Sequence, residues 1–150
     1  MTNPPTNLGP HSVYLDQWLE CAPFEKQLGL KILQAEQGHS ILTLPFRAEF
    51  ANGGNLLHGG ALVSLADATA VIAIKSLLTP WTHFGTINMQ VEFIRPVLQG
   101  VVTARCNVHQ IEERLWQAEV MLEDDQQIKV MTMKAIFKIS KRRLQQHATV

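Results

Sequence analysis

The chain has 150 residues, of which 46% are hydrophobic and 17% are charged. This length is typical of one domain with a core of its own, and the composition excludes a disordered chain. The 13 basic and 13 acidic side chains cancel. A balanced charge argues against a protein that binds a nucleic-acid backbone along its surface, and it suits self-association because no net repulsion opposes it.

The two cysteines, Cys21 and Cys106, lie far apart and lack the spacing of metal ligands. Their pattern predicts two free thiols in a reducing compartment and no metal site. The first residues do not show the basic and then apolar pattern of a signal peptide. The longest apolar stretch is interrupted by Asp67 and Lys75, which is unlike a membrane span. We therefore expect a cytoplasmic protein.

The proline-rich residues 1–10 predict a flexible N-terminal tail, residues 11–140 a single domain, and residues 141–150 a polar C-terminal tail. Ser12 is a candidate cap for a short helix over Val13 to Cys21. A further helical turn is predicted from Phe24 to Leu28, closed by Gly29.

Two strands, 30–36 and 39–46, are predicted to form a hairpin around Gln37-Gly38. A loop over 47–57 leads into a long helix from Ala61 to Leu78, which Pro80 terminates. Alanine and leucine occur on nearly every face of this helix, so we expect it to be buried all round.

The rest of the chain predicts strands. Residues Gly85 to Phe93 alternate, with Ile87, Met89, Val91 and Phe93 on one face. Further strands are expected over 97–111, with an interruption at Gln99-Gly100, over 115–122 and over 128–139. This order predicts an α+β fold in which a curved antiparallel sheet wraps around one long buried helix, with dimerisation covering the open side of the sheet.

The most informative segment is the junction between loop and helix, Asn52-Gly53-Gly54-Asn55-Leu56-Leu57-His58-Gly59-Gly60. Glycines at a helix N-terminus expose backbone N–H groups that can bind an oxyanion. Asp67 places a carboxylate in the middle of the apolar helix, about 10–13 Å further along its axis. The two features would form one site if two copies ran antiparallel, with Gly59 of one copy opposite Asp67 of the other.

This segment contains the pattern Asn-x5-His-Gly-Gly-x6-Asp, in which the named positions are Asn52, His58, Gly59, Gly60 and Asp67. It resembles the signature of hotdog-fold acyl-CoA thioesterases of the PaaI-like group. The strand over 86–96, which ends in Arg-Pro, is also similar to that family, and the resemblance extends over residues 25–140. The hotdog fold is what the resemblance implies.

The resemblance also implies a role for each matching residue. The Gly59 N–H would polarise the thioester carbonyl, and Asp67 from the neighbouring subunit would act as general base or nucleophile. Asn52 would help to hold the water or the thioester, and the Thr86 hydroxyl would lie near the attacking water. His58 would orient the loop or the substrate.

Gly60 and Arg95 are further candidates for substrate binding, with Gly60 beside the carbonyl site. Arg95 and the basic run Lys141-Arg142-Arg143 are candidates for contact with the phosphates of coenzyme A. The resemblance implies no metal ion and no other cofactor.

Hydrolysis of an acyl-CoA to a carboxylic acid and coenzyme A is therefore the leading hypothesis. The aliphatic helix, with Met89 and Phe93 on a nearby strand, favours an apolar or aryl acyl group. The alternative is a non-catalytic module that binds acyl-CoA or acyl-carrier protein, and release of a thiol product distinguishes the two. A DNA-binding regulator is disfavoured because Lys26 is the only basic residue among the first thirty. A dehydratase is disfavoured because Asp67 is the only acid of the helix.

Overall fold

The computed structural model describes residues 7–143. Within that range the chain forms one six-stranded antiparallel sheet, in the order β1-β2-β4-β5-β6-β3, and a long helix that packs against it. The elements are α1 (Pro23–Leu28), β1 (Lys31–Glu36), β2 (His39–Pro45), a 3₁₀ turn (Ala48–Phe50), α2 (Gly59–Lys75), β3 (Thr82–Phe93), β4 (Val101–Glu112), β5 (Leu115–Glu123) and β6 (Lys129–Arg143). The predicted hotdog architecture is confirmed.

The core of the molecule is the buried side of α2, which lies across β2, β4 and β5. Its buried positions are mainly Ala, Leu and Ile, and Leu65, Ala66 and Ala70 have no exposed surface. Alanine has a short side chain, so the sheet can approach the helix closely and still exclude water. Facing residues such as Leu42 and Phe137 are equally buried.

One stripe of α2 is less buried than the rest. It consists of Val63, Ser64, Asp67, Val71 and Lys75, which recur at helical spacing along the side turned away from the central strands. The expectation that this helix is buried on every side is therefore wrong for a single chain, because the six strands wrap only part of its circumference.

The polar groups between the helix and the sheet are paired. The Ser40 hydroxyl of β2 donates to the Thr69 carbonyl at 2.6 Å, and the Thr69 hydroxyl donates to the Leu65 carbonyl at 2.6 Å. Both residues are buried. A buried hydroxyl without a partner would destabilise the fold, so these two bonds let polar side chains lie within an apolar core.

A β-bulge interrupts the pairing of β3 with β6. Thr86 lies opposite Phe137 and Asn88 opposite Ile136, so Ile87 has no partner in the ladder. The extra residue reverses the alternation: Thr86 before the bulge and Met89 after it face the same side of the sheet. The prediction that Ile87 shares a face with Met89, Val91 and Phe93 is wrong, since alternation counted from sequence cannot detect an inserted residue.

The predicted helix over Val13 to Cys21 is absent. Residues 13–22 form neither helix nor strand, and we call them the N-terminal strap. The N–H groups of Asp16 and Gln17 donate to the Glu20 carboxylate instead of helical carbonyls. Such side-chain bonds compete with helix formation in a segment too short to form a stable helix alone. The turn that Gly29 closes is confirmed, with φ of 75° at that glycine.

Other boundaries differ by a few residues. The long helix ends at Lys75 rather than Leu78. The strand expected from Val97 begins at Val101, after Gly100 has turned the chain with φ of 83°. The last strand continues to Arg143, so it takes in the first three residues of the predicted C-terminal tail. Residues 1–6 and 144–150 of the two predicted tails lie outside the described residues.

Over residues 7–143, no helix has the length and apolar character that crossing a bilayer requires. Cys21 and Cys106 are free thiols, as predicted. Burial raises the pKa of Cys106 to about 12, so this thiol is not a candidate nucleophile at neutral pH.

Replacing Leu65 by alanine tests the role of the helix as core. Leu65 is fully buried, so we expect Leu65→Ala to lower the free energy of unfolding by about 2–5 kcal/mol. Leu33→Ala, at a position with 63% exposure, is the control and should change it by less than about 1 kcal/mol. Urea denaturation followed by circular dichroism measures both. Equal losses for the two variants would contradict this assignment of the core.

Candidate functional site

The start of α2 is held by the residue before it. His58 is the N-cap, and its Nδ1 accepts a hydrogen bond from the Gly60 N–H at 2.8 Å. A Cβ at Gly60 would lie 3.0 Å from the same Nδ1, so a glycine there leaves room for the ring. This cap gives a geometric basis to the expected role of His58 in orienting the loop. Because the Gly60 N–H donates to His58, it is already bonded within the chain.

Asn52 shapes the loop that precedes the helix. Its Oδ1 accepts hydrogen bonds from the Gly54 N–H at 2.8 Å and the Leu56 N–H at 3.1 Å. Its backbone N–H donates to the Leu56 carbonyl at 2.7 Å. These bonds close a tight loop that directs the chain into His58 and Gly59, so the side-chain oxygen of Asn52 is engaged in the loop.

The Gly59 N–H is the open donor at this helix end. Among residues 7–143 it has no acceptor, whereas the N–H groups of Gly60 and Ala61 are bonded to His58. A Cβ at Gly59 would lie 3.3 Å from the ring of Phe93, which shows that β3 passes close to this end of the helix. An open N–H at a helix N-terminus favours a negatively charged oxygen.

The second part of the site joins α2 to β3. Thr86 Oγ1 donates to Asp67 Oδ1 at 2.9 Å. The bulge at Ile87 lies directly after Thr86. Two residues to which the resemblance assigns separate roles are thus brought together within one chain. No donor among residues 7–143 is bonded to the other oxygen, Asp67 Oδ2.

Asp67 lies in surroundings that oppose its charge. Burial raises the pKa of its carboxyl above the ordinary value, the hydrogen bond from Thr86 lowers it, and the negative charge of Glu25 raises it again. Desolvation is the largest of these effects and the net shift is upward. A carboxyl with a raised pKa is a stronger base when ionised, which suits a proton acceptor.

Gly59 and Asp67 do not meet within one chain. They are eight residues apart on one helix, which is about 12 Å along its axis.

Arg95 is exposed in the turn that follows β3, where its backbone N–H donates to the Val130 carbonyl. In the described part of the chain, no cluster of His, Cys, Asp and Glu side chains could hold a metal ion.

A cavity of about 350 Å³ is lined by Thr86, the hydrogen-bond partner of Asp67, and not by Asp67 itself. Its walls come from the strap, from the second half of α2 and from the start of β3, and include Trp18, Val71, Lys75 and Thr86. Sequence reasoning missed it because the strap was interpreted as a helix. Met89 and Phe93, proposed as acyl contacts, do not line it.

A family model described as the thioesterase superfamily matches residues 54–131. The chain belongs to this superfamily. The match includes the cap, Gly59, Asp67 and Thr86, and it excludes the strap. The acyl-coenzyme A thioesterase PaaI of Escherichia coli is 30% identical over 104 residues, which are 68% of this chain and 71% of that protein. The chain is thus a PaaI-like member of a family whose reaction is thioester hydrolysis.

Other similarities agree with this assignment. A putative esterase of Saccharolobus solfataricus is 28% identical over 78 residues, which are 52% of this chain and 55% of that protein. The solved structure of the Escherichia coli PaaI protein superimposes with a TM-score of 0.70 at 25% identity, covering 76% of this chain and 86% of that one. A conserved Pseudomonas aeruginosa protein superimposes with a TM-score of 0.78 at 24% identity, covering 84% and 100%.

Replacing Asp67 by asparagine should stabilise the fold at neutral pH. Because the folded pKa is raised, the folded chain binds the proton more tightly than the unfolded chain. The free energy of unfolding therefore falls as the pH rises from the pKa of the carboxyl in the unfolded chain, about 3.9, through its higher pKa in the folded chain. Asp67→Asn has no such loss, so its Tm should exceed that of wild type at pH 7.

The difference in Tm between Asp67→Asn and wild type should shrink as the pH falls towards 4, which differential scanning calorimetry measures. Asp125→Asn, in an exposed turn between β5 and β6, is the control and should show no comparable difference. A wild-type protein that is more stable than Asp67→Asn at pH 7 would contradict the assignment.

Proposed function

We propose that the protein is an acyl-CoA thioesterase that hydrolyses its substrate to a carboxylic acid and coenzyme A. The observation that carries the proposal is a desolvated Asp67 held by Thr86, on a helix whose first N–H is open. The relative named an acyl-coenzyme A thioesterase supports the substrate class.

The open Gly59 N–H is proposed to bind the thioester carbonyl oxygen. When water attacks the carbonyl carbon, that oxygen gains negative charge, and the N–H stabilises it more strongly than it stabilises the neutral carbonyl. The helix dipole acts in the same direction. The cap from His58 supports this step because it fixes the peptide on which the donor lies.

Asp67 is proposed to act as the general base. The Thr86 hydroxyl holds Oδ1, which leaves Oδ2 to accept a proton from the attacking water. The tetrahedral intermediate then expels the coenzyme A thiolate. Direct attack by the carboxylate, through a mixed anhydride that water later hydrolyses, uses the same geometry.

The separation of Gly59 and Asp67 along the helix supports a site shared between two chains. The sheet offers one suitable edge for the second copy. Edge strand β1 is short, with a charged residue at each end. Edge strand β3 has twelve residues, of which Glu92 is the only acidic or basic one apart from His83. Both edges contain a bulge, so length and charge distinguish them, and natural edges that remain free are often short or charged.

A homodimer that pairs along β3 would also cover the less buried stripe of α2. If the two helices run antiparallel across the interface, Gly59 of one copy lies towards Asp67 of the other. Asn52 then maintains the loop around the carbonyl site, with its amide nitrogen directed to the water or the thioester. Gly60 permits the cap, and Arg95 is exposed for the phosphates of coenzyme A. The free thiols suit a reducing compartment such as the cytoplasm.

Replacing Gly59 by proline tests the carbonyl donor. Proline is well tolerated at the first helical position, and it removes the N–H. His58 has φ of −59° and ψ of 131°, which suits a residue before proline. We expect Gly59→Pro to lower kcat by roughly 10²–10³-fold.

Gly59→Ala is the matched control, because it adds the same contact with Phe93 but keeps the N–H. Its kcat should stay within about tenfold of wild type. Thiol release from acyl-CoA substrates measures both variants. Equal losses in the two variants would refute the role of the N–H and indicate a steric effect.

Mixing two inactive variants tests the shared site. Asp67→Asn should lose about 10²–10⁴-fold in kcat, and Gly59→Pro should also be nearly inactive. A heterodimer of the two contains one intact pair, Gly59 from one chain and Asp67 from the other. Unfolding and refolding an equal mixture should therefore restore roughly a quarter of wild-type activity. No restoration, from a mixture shown to contain heterodimers, would place the site within one chain.

Thr86→Val tests the base. The hydrogen bond from the Thr86 hydroxyl lowers the pKa of Asp67. Removing this hydroxyl should therefore raise that pKa further. The acid limb of the profile of kcat/KM against pH should then move to higher pH. Thr86→Ser retains the hydroxyl and should keep the wild-type limb. If the acid limb of Thr86→Val moved to lower pH instead, Asp67 would be excluded as the group that must be ionised.

A further inference from the structure

The cavity that Thr86 lines has a wall that the family match does not include. Residues 13–22 lie outside the matched range of 54–131, yet the strap contributes Val13, Leu15, Trp18 and Ala22 to the lining. The remaining lining residues of α2 and β3 include Val71, Phe84 and Thr86. The lining is therefore mostly apolar, and one of its members is directly bonded to the proposed base.

Trp18 is fixed in this wall by reciprocal contacts with the end of α2. Its Nε1 donates to the Lys75 carbonyl at 2.9 Å, and Lys75 Nζ donates to the Trp18 carbonyl at 3.1 Å. The Lys75 ammonium also lies 4.6 Å from the centre of the indole ring. Trp81 and Phe84 meet the indole edge-on, with ring centroids at 5.6 and 6.3 Å. The indole is thus a fixed surface that a ligand does not easily displace.

The path from the proposed base to the end of the cavity suits an acyl chain of limited length. Asp67, Val71 and Lys75 follow one another at intervals of four residues on the same side of α2, and the last two line the cavity. The path from Asp67 past Val71 to Lys75 is about 12 Å along the helix axis. A volume of about 350 Å³ is at the small end of the range for ligand sites.

We propose that this cavity is the acyl subsite and that Trp18 is the residue that limits acyl length. The acyl group enters beside Thr86, passes Val71 and stops at the indole near Lys75. The proposal rests on the proposed thioesterase function and deepens it: the substrates are thioesters of short to medium apolar acyl groups. The chain that supplies Asp67 supplies the subsite.

A series of straight-chain acyl-CoAs from two to sixteen carbons tests the proposal, with kcat/KM measured by thiol release. In wild type, each methylene that enters the cavity should raise kcat/KM by about fourfold, the effect of burying one CH₂. Activity should fall once the chain exceeds the cavity, at roughly six to ten carbons for a 12 Å path. Trp18→Ala should move the optimum to a longer chain by at least two carbons.

Two further variants separate this effect from a loss of stability. Val71→Leu narrows the path between Thr86 and Trp18, so it should move the optimum to a shorter chain. Leu19→Ala removes an exposed neighbour in the strap that does not line the cavity, and it should leave the optimum unchanged. A general loss of stability would not shift the optimal chain lengths of Trp18→Ala and Val71→Leu in opposite directions. Trp18→Phe keeps a ring at the wall and should stay nearer to wild type than Trp18→Ala.

The possible failures are distinct. The wild type could be active while Trp18→Ala and Val71→Leu both keep its optimal chain length. That result overturns the acyl subsite and leaves the thioesterase proposal standing. If Trp18→Ala does not fold, an unchanged optimum in Val71→Leu overturns the subsite by itself. A folded wild type that releases thiol only from an aryl-acyl-CoA, assayed beside the series, overturns the subsite and leaves the thioesterase proposal standing. A folded wild type that releases no thiol from any of these substrates overturns the proposed function and the subsite together, and favours a binding module.

Discussion

The burial of α2 by a single sheet is the constraint on which the rest of the molecule depends. Ten of its seventeen residues are buried, and their small or aliphatic side chains let three strands pack across it. The same burial gives Asp67 its desolvated surroundings. The structure thus obtains a carboxylate of raised pKa by placing an acidic residue at the edge of the region where charge is most costly.

The coverage of α2 by the sheet is incomplete, and the proposed site lies where the helix is left uncovered. Six strands leave one stripe of the helix accessible, and Asp67 is on it. Edge strand β3 then brings Thr86 to the same carboxylate, directly before the β-bulge at Ile87. Bulges are common next to active sites, where they redirect side chains. Without the bulge, uninterrupted alternation would place Thr86 and Met89 on opposite faces of β3.

Much of this arrangement follows from the sequence, and the exceptions have a common cause. The strands, the long helix and the spacing from Gly59 to Asp67 depend on local periodicity, which the residues display directly. The resemblance implies a Thr86 hydroxyl near the attacking water, but the contact between Thr86 and Asp67 is not predicted, because it joins a helix to a strand through the tertiary structure. The strap could not be predicted, since Trp18 is held by the end of a helix 57 residues away. Gly60 illustrates the same limit. The glycine is visible in the sequence, but the hydrogen bond that its N–H donates to His58 Nδ1 is not.

The unpaired edge of β3 has a consequence for a chain that is not paired with a second copy. A single chain in solution presents twelve residues of extended backbone with Ile87, Met89 and Phe93 exposed beside it. Such an edge can pair with any other strand and is a starting point for aggregation. Dilution or heating that separates the two copies of the proposed homodimer therefore exposes the segment most prone to irreversible association. Thermal inactivation will then depend on protein concentration and on heating rate, and not on a single equilibrium midpoint.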